Sequence, residues 1–405
     1  MAARSGGMLL VGLAVATALS ACDAFRGTSE PVVDEETAFP DDGLAQTPPM
    51  GFNTFNRFFC RPDEQLVRDI ADSMVSSGMR DAGYQYVVID DCWQGWRDGA
   101  TSRIVPDPQR FPGGMRALAD YVHSRGLKFG LYTDAGWRTC QGLVGSYGFY
   151  DVDARTFAEW GVDYVKVDWC YADGLTARTQ YGEFRTALLA TGRPMVFSIC
   201  EWGSTRPSEW ARGIGHLWRT TPDIQDRWES MLANADASAR YVRAAAPGGW
   251  NDPDMLEVGN GGMTADEYRV HFSLWAIMAA PLIAGNDIRT MPDSIREILV
   301  NREVIAVDQD SLGVQGIVVS QPSPDLQVWV KLLSDGSQAV ALVNRSGTIA
   351  DIAVGWSSLG LPTGTTASVR DLWARSDRGL HSDRFAAAVP PHGVVMVRIA
   401  GQPAR

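Results

Sequence analysis

The chain reads as an α/β protein, a (β/α)8 barrel followed by a small C-terminal antiparallel β-sandwich domain. Three observations predict this. Short β-branched and aromatic runs alternate with helix-period segments eight times over about 260 residues, the usual size of such a barrel. Several of those runs finish in a carboxylate or a base, as a barrel with a reactive rim requires. Beyond Gly313 the helical period stops, and short strand-like runs separated by turn residues continue to the end.

The barrel elements follow in order. Residues 50–55 form a first strand, and Asp63 caps a helix with Leu66, Ile70 and Met74 on one face, ending at Gly78. Residues 86–89 run into Asp90 and Asp91. A helix carrying Leu118, Tyr121 and Val122 then stops at Gly126. Residues 128–133 end at Asp134, and a helix over about 154–160 leads to the strand 164–167. There Lys166 and Asp168 are two apart and so share one strand face, an arrangement that needs partners if the face is buried. Such a pair can be a structural ion pair. Its recurrence alongside other polar strand ends points instead to a site.

A helix over about 177–190 precedes the fifth strand, 195–199, which ends at Cys200-Glu201. Residues 217–219 make the sixth strand, followed by a helix over about 228–245 and a seventh strand at 249–252. A helix over about 267–278, an eighth strand at 281–284 and a helix over about 294–299 complete the series. Residues 327–332, 339–343, 368–372 and 393–398 are the strands expected in the second domain, with no helical crossover for parallel pairing.

The net charge of −12 argues against a nucleic-acid partner, since binding phosphates needs a basic surface. Uncharged sugars remain compatible, and 14 tryptophans offer stacking surface. Arg4 and the apolar run from Met8 to Leu19 have the layout of an export signal and are too short to span a membrane. Leu19-Ser20-Ala21-Cys22 resembles the lipobox of bacterial lipoproteins. It implies a signal peptide over 1–22, a lipid anchor at Cys22 as the only membrane contact, and residence at the cell envelope. Residues 23–46 read as a flexible tether, 47–312 as the barrel and 313–405 as the β-domain. Export permits disulfides. Of six cysteines five remain beyond Cys22, so one at least stays unpaired within the chain, and no spacing suggests a metal site.

On a barrel, Asp90, Asp91, Tyr132, Asp134, Lys166, Asp168, Glu201, Arg219, Asp252 and Asp254 converge at one rim, with Asp223 in a loop above it. Carboxylates in excess over cations, without metal spacing, suit glycoside hydrolysis, which needs one carboxyl as acid and another as nucleophile or base. Ile89-Asp-Asp-Cys-Trp93, Lys166-Val-Asp-Trp-Cys170, Cys200-Glu-Trp-Gly203, Trp218-Arg-Thr-Thr-Pro-Asp223 and Gly248-Gly-Trp-Asn-Asp-Pro-Asp-Met255 stand in one order. This set resembles the motifs of family 27 glycoside hydrolases, the α-galactosidases and α-N-acetylgalactosaminidases, from about Pro48 to Gly316 and more weakly beyond.

The resemblance implies a retaining, exo-acting α-galactosidase that needs no cofactor and acts on α-galactoside-containing oligosaccharides. It makes Asp168 the nucleophile and Asp223 the acid/base. Lys166 would sit by the sugar hydroxyls and favour the carboxylate form of Asp168. Asp90 and Asp91 match the pair that grips the 4- and 6-hydroxyls, while Tyr132, Arg219 and Asp254 match further sugar contacts. Glu201 matches the residue that fills the space of a 2-acetamido group. Phe55 stands where the family usually has a Trp wall. Cys60–Cys92 and Cys140–Cys170 match the family's barrel disulfides, leaving Cys200 free. An α-N-acetylgalactosaminidase, a β-L-arabinopyranosidase and a non-catalytic sugar-binding lipoprotein are the alternatives. Intact Asp91 and Glu201 count against the first two, and the presence of both Asp168 and Asp223 against the third. A homodimer stays open.

Overall fold

The computed structural model describes residues 42–401, so the signal segment, Cys22 and most of the expected tether lie outside the described residues. The barrel strands are β1 (Met50–Asn53) and β2 (Tyr86–Ile89), then β5 (Lys128–Asp134) to β10 after a rim hairpin of β3 (Gln94–Arg97) and β4 (Ile104–Pro106). The rest are β6 (Tyr164–Asp168), β7 (Val196–Ile199), β8 (Leu217–Arg219), β9 (Trp250–Asp252) and β10 (Leu282–Ala284). All eight pair in parallel, in the order β10-β1-β2-β5-β6-β7-β8-β9. Between β9 and β10 the ring is closed by the segment after β9, where Leu256 bridges Ala284 and its N–H donates to the Ile283 carbonyl at 2.8 Å.

Local chemistry sets the element ends. The first strand stops at Asn53 rather than residue 55, because the Asn53 side-chain oxygen accepts from the Phe55 N–H at 2.8 Å and turns the chain. Phe55 therefore opens a short helix, Phe55–Phe58, at the rim. The Asp63 carboxylate accepts from the Leu66 N–H at 2.7 Å and caps the helix Glu64–Ser76, whose Leu66, Val67, Ile70, Ala71 and Met74 are buried. Helix Ala265–Met278 opens with a capping box of Thr264 and Glu267 and is buried on nearly every side. It is wedged between the barrel and the second domain, so no face of it meets much water.

That domain holds eight strands, β11 (Ile317–Ser323), β12 (Leu326–Leu332), β13 (Gln338–Asn344), β14 (Ala350–Gly355), β15 (Thr366–Asp371), β16 (Ser376–Ser382), β17 (Arg384–Val389) and β18 (Gly393–Gly401). Six of them form an antiparallel sheet, β11-β12-β13-β18-β15-β16, and β14 pairs with β17. Val328, Val330, Val340, Leu342 and Val397 meet Ile352, Val354 and Phe385 across the sandwich. The opposite face, through Trp329, Ala341, Val343 and Met396, joins the barrel's own core. A sheet buried on both faces explains the unbroken apolar run Ala339–Val343 in β13.

Several expectations need correction. Only four of the eight strands of the second domain are anticipated. The register of β11 shifts twice against β12, and β16 is exposed along most of its length, so neither carries a clean alternation. The helix expected over 228–245 ends at Ser238 and tightens into one 3-10 turn, Ala239–Tyr241, and the helix Arg302–Asp308 is not foreseen. Residues 42–46, expected as the end of the tether, are tied down. Asp42 accepts from Arg185 at 2.6 Å and faces His216 Nε2 at 3.1 Å, while the Ala45 carbonyl accepts from the Trp250 indole at 2.7 Å. Residues 42–46 are therefore docked on the barrel.

Candidate active site

The strand pairing that builds the barrel also builds the site. Parallel register sets Tyr132 beside Lys166 and Asp134 beside Asp168. Lys166 Nζ donates to Asp90 Oδ2 at 2.9 Å and lies 3.9 Å from Asp168 Oδ1, so one cation sits between two buried carboxylates. Asp90 is held from β1 as well: its Oδ2 accepts from Asn53 Nδ2 at 2.6 Å, and its N–H donates to Thr54 Oγ1 at 3.0 Å. Asp91 accepts from its neighbour Cys92 N–H at 2.6 Å and from the Gln141 N–H at 2.9 Å, which ties the β5 loop to the β2 end. On the far side Arg219 Nη2 lies 3.0 Å from both Asp223 Oδ1 and Asp254 Oδ2.

These groups surround one cavity of about 430 Å³. Asp90, Asp91, Tyr132, Lys166, Asp168, Arg219, Asp223, Asp254 and Phe55 all line it. The Phe55 ring stands 6.0 Å from Lys166 Nζ and 5.0 Å from the Phe59 ring. Asp168 lies deep, at 6% exposure, whereas the Asp223 side chain is 71% exposed at the mouth. The cysteines Cys60 and Cys92 are joined, as are Cys140 and Cys170, and Cys200 is a buried free thiol 3.4 Å from Arg219 Nη1. Both bridges end next to site residues and fasten the loops that carry them.

Glu201 departs from its expected place. It is fully buried and does not line the cavity; its Oε2 accepts from the Thr205 N–H at 2.6 Å, inside the turn that follows β7. The left-handed backbone of the next residue, Trp202 (φ 58°), turns the chain so that Trp202 reaches the cavity instead. Glu201 thus props the wall from behind. Burial pushes its carboxyl up to about 7.

Burial is also the largest influence on Asp168. It raises the carboxyl to about 6, with Lys166 pulling down and Asp90 pushing up. Lys166 favours the carboxylate as expected, but the desolvation of a closed floor outweighs it. Asp254 is raised to about 6 by burial against the pull of Arg219. Asp134, raised to about 8 by burial and by Asp168, accepts from the N–H groups of Gly136 and Cys170 and so buttresses the β5 and β6 ends. Asp252 accepts from the Asp254 N–H at 2.8 Å and shapes that turn. Among the described residues Asp134, Cys140 and Cys170 come near enough to resemble a metal triad, but the two sulfurs are bonded to each other.

Sequence reasoning passed over Trp202, Gln141 and Glu257 in the lining. Glu257 accepts from Asn56 Nδ2 at 2.6 Å, which links the segment after β9 to the rim helix of β1. Its signal was a carboxylate two residues past Met255, in chain that bridges β10.

Comparisons with known proteins extend this picture. The family profile described as alpha galactosidase A matches residues 47–310, and that of the alpha galactosidase C-terminal beta sandwich domain matches 323–399. The chain is 51% identical to an alpha-galactosidase of Cyamopsis tetragonoloba, over 88% of this chain and 87% of that protein. It is 44% identical to alpha-galactosidase A of Homo sapiens, over 75% and 76%. The crystal structure of alpha-galactosidase I from Mortierella vinacea superposes with a TM-score of 0.87 at 37% identity, covering 89% of this chain and 98% of that one.

Proposed function

The chain belongs to the alpha galactosidase A family, and on that premise we propose that it hydrolyses terminal, non-reducing α-D-galactosyl residues with retention of configuration. One observation carries the reading: a buried carboxylate beside a lysine and an exposed carboxylate at the mouth face the same cavity. Retaining glycosidases need two carboxyls with distinct roles, set by distinct environments. Asp168, at the floor, attacks the anomeric carbon and forms the glycosyl-enzyme as the C1–O bond breaks. Asp223 gives its proton to the departing oxygen. Asp223 then takes a proton from water, whose oxygen attacks C1 and releases Asp168.

Asp90 and Asp91 bind the 4- and 6-hydroxyls as acceptor-only groups. The lining position of Asp91 supports a hexose with a 6-hydroxyl over a pentopyranose. With Asp168→Gly, azide takes the nucleophile's place and the product is the β-galactosyl azide. With Asp223→Ala and a nitrophenyl leaving group, azide attacks the covalent intermediate and the product is the α-galactosyl azide. Exchanged stereochemistry swaps the roles, and near wild-type turnover by both variants ends the assignment.

The lipobox-like Leu19-Ser20-Ala21-Cys22 supports a lipid anchor at the cell envelope. Among the described residues no helix is long and apolar enough to cross a membrane. Cys22→Ala moves the protein to the soluble fraction at unchanged specific activity if Cys22 is lipidated. Wild-type protein recovered from the medium without lipid mass contradicts the anchor.

A further inference from the structure

Among the described residues, four large aromatic side chains are about half exposed or more: Phe59 (51%), Trp96 (50%), Trp137 (61%) and Tyr171 (52%). Their placement is not scattered. They follow β1, β2, β5 and β6 respectively, at the strand ends that carry the site. Those four strands are consecutive neighbours in the ring, so the exposed rings occupy one continuous arc of the rim. Leaving that much apolar surface in water forgoes burial, and an apolar group of surface rings points to a ligand.

The Trp137 ring and the backbone of Tyr171 are fixed in place. The Trp137 N–H donates to the Tyr171 carbonyl at 3.2 Å, the Trp137 ring packs edge-on against Tyr147 at 4.2 Å, and the Cys140–Cys170 bridge joins their loops. The loops touch backbone to backbone at Gly136, where an added Cβ would come within 2.0 Å of the Cys170 carbonyl oxygen. The same two loops line the cavity through Cys140, Gln141 and Cys170, and Phe59 lines it from the β1 side. The scissile bond lies above Asp168, at the end of the strand that Tyr171 follows, and the leaving group departs through the cavity mouth, where Asp223 is exposed.

We propose that Trp137 and Tyr171 form a stacking platform for the sugar units on the leaving-group side of the scissile bond. The C–H faces of pyranose rings lie on these aromatic faces while their hydroxyls stay in water. The platform makes the enzyme selective for α-galactosides carrying two or more further sugars over small galactosides. This rests on the α-galactosidase reading above.

The test compares two substrates. α-Galactosyl fluoride has a leaving group too small to reach the rim, and stachyose is a tetrasaccharide ending in α-galactose. Trp137→Ala and Tyr171→Asn are the variants, asparagine being tolerant of the left-handed backbone at Tyr171 (φ 47°). Each leaves kcat/KM for the fluoride unchanged and lowers that for stachyose about three- to tenfold, the range of one aromatic stacking contact. Trp137→Tyr, which keeps a ring, restores most of the loss. Unchanged stachyose kinetics, or an equal loss on both substrates, overturns the platform alone. A wild-type protein inert toward the fluoride overturns the α-galactosidase reading and the platform with it.

Discussion

Replacing Lys166 by Met tests how the site keeps Asp168, the proposed nucleophile, charged. Lys166 Nζ stands 3.9 Å from Asp168 Oδ1 and is the chief influence lowering that carboxyl's pKa. At an effective dielectric near 20, a unit pair at this distance interacts by about 4 kcal/mol, equivalent to about 3 pKa units. Water entering the vacated space recovers part of this, so the pKa of Asp168 rises by about 1–3. The sign is upward because a favourable cation is removed from a carboxylate. Wild-type Asp168 is already raised to about 6, so the variant is largely protonated, and inactive as a nucleophile, at neutral pH. The pH dependence of kcat/KM on α-galactosyl fluoride reads the ionisation in the free enzyme, and its leaving group needs little help from an acid. The acid limb moves to higher pH by about 1–3 units, and activity partly returns in alkali. An acid limb unchanged in position, with a rate uniformly lower at all pH values, would show that Lys166 only contacts substrate.

Two further outcomes concern the supports of the site. Asp42→Ala strands Arg185 and His216, whose side chains are 4% and 5% exposed. The loss is about 1–3 kcal/mol, below the fully buried range because Asp42 keeps some water, and it reads out as a lower urea midpoint. Asp42 is held below its ordinary pKa in the fold, so its contribution is present above about pH 4 and fades as pH falls through the folded value. Wild-type stability in the variant refutes the docking of residues 42–46. Removing the second bridge with Cys140→Ala and Cys170→Ala opens a loop of sequence separation 30 and lowers stability by about 3–4 kcal/mol on chain entropy. KM rises as well, because the Gln141 N–H no longer holds Asp91 firmly. A double variant with unchanged KM refutes that link.

The barrel and its polar floor were legible in the chain because both depend on short-range regularities. Side chains two apart in a strand share a face whatever surrounds them, so Lys166 and Asp168 had to point together. Strands ending in Asp90, Asp168 and Arg219 necessarily deliver those groups to one rim once parallel pairing closes a ring. The rest was decided by turns and by long-range packing, which no local pattern encodes. A single left-handed residue at 202 sends Trp202 into the cavity and leaves Glu201 behind the wall. Asp42 lies far in sequence from Arg185 and His216, and only the finished barrel offers it those two buried partners. The strand β16 is exposed along most of its length and carries no apolar alternation, so pairing alone defines it. Likewise Phe59, Trp96, Trp137 and Tyr171 are scattered in sequence and become one arc only because their strands are neighbours in the ring. Which carboxylates and aromatics the protein owns, and which strand each one ends, was settled by sequence. Which of them face the same space was settled by turn geometry and by contacts between distant segments, whose free energy exists only in the assembled fold.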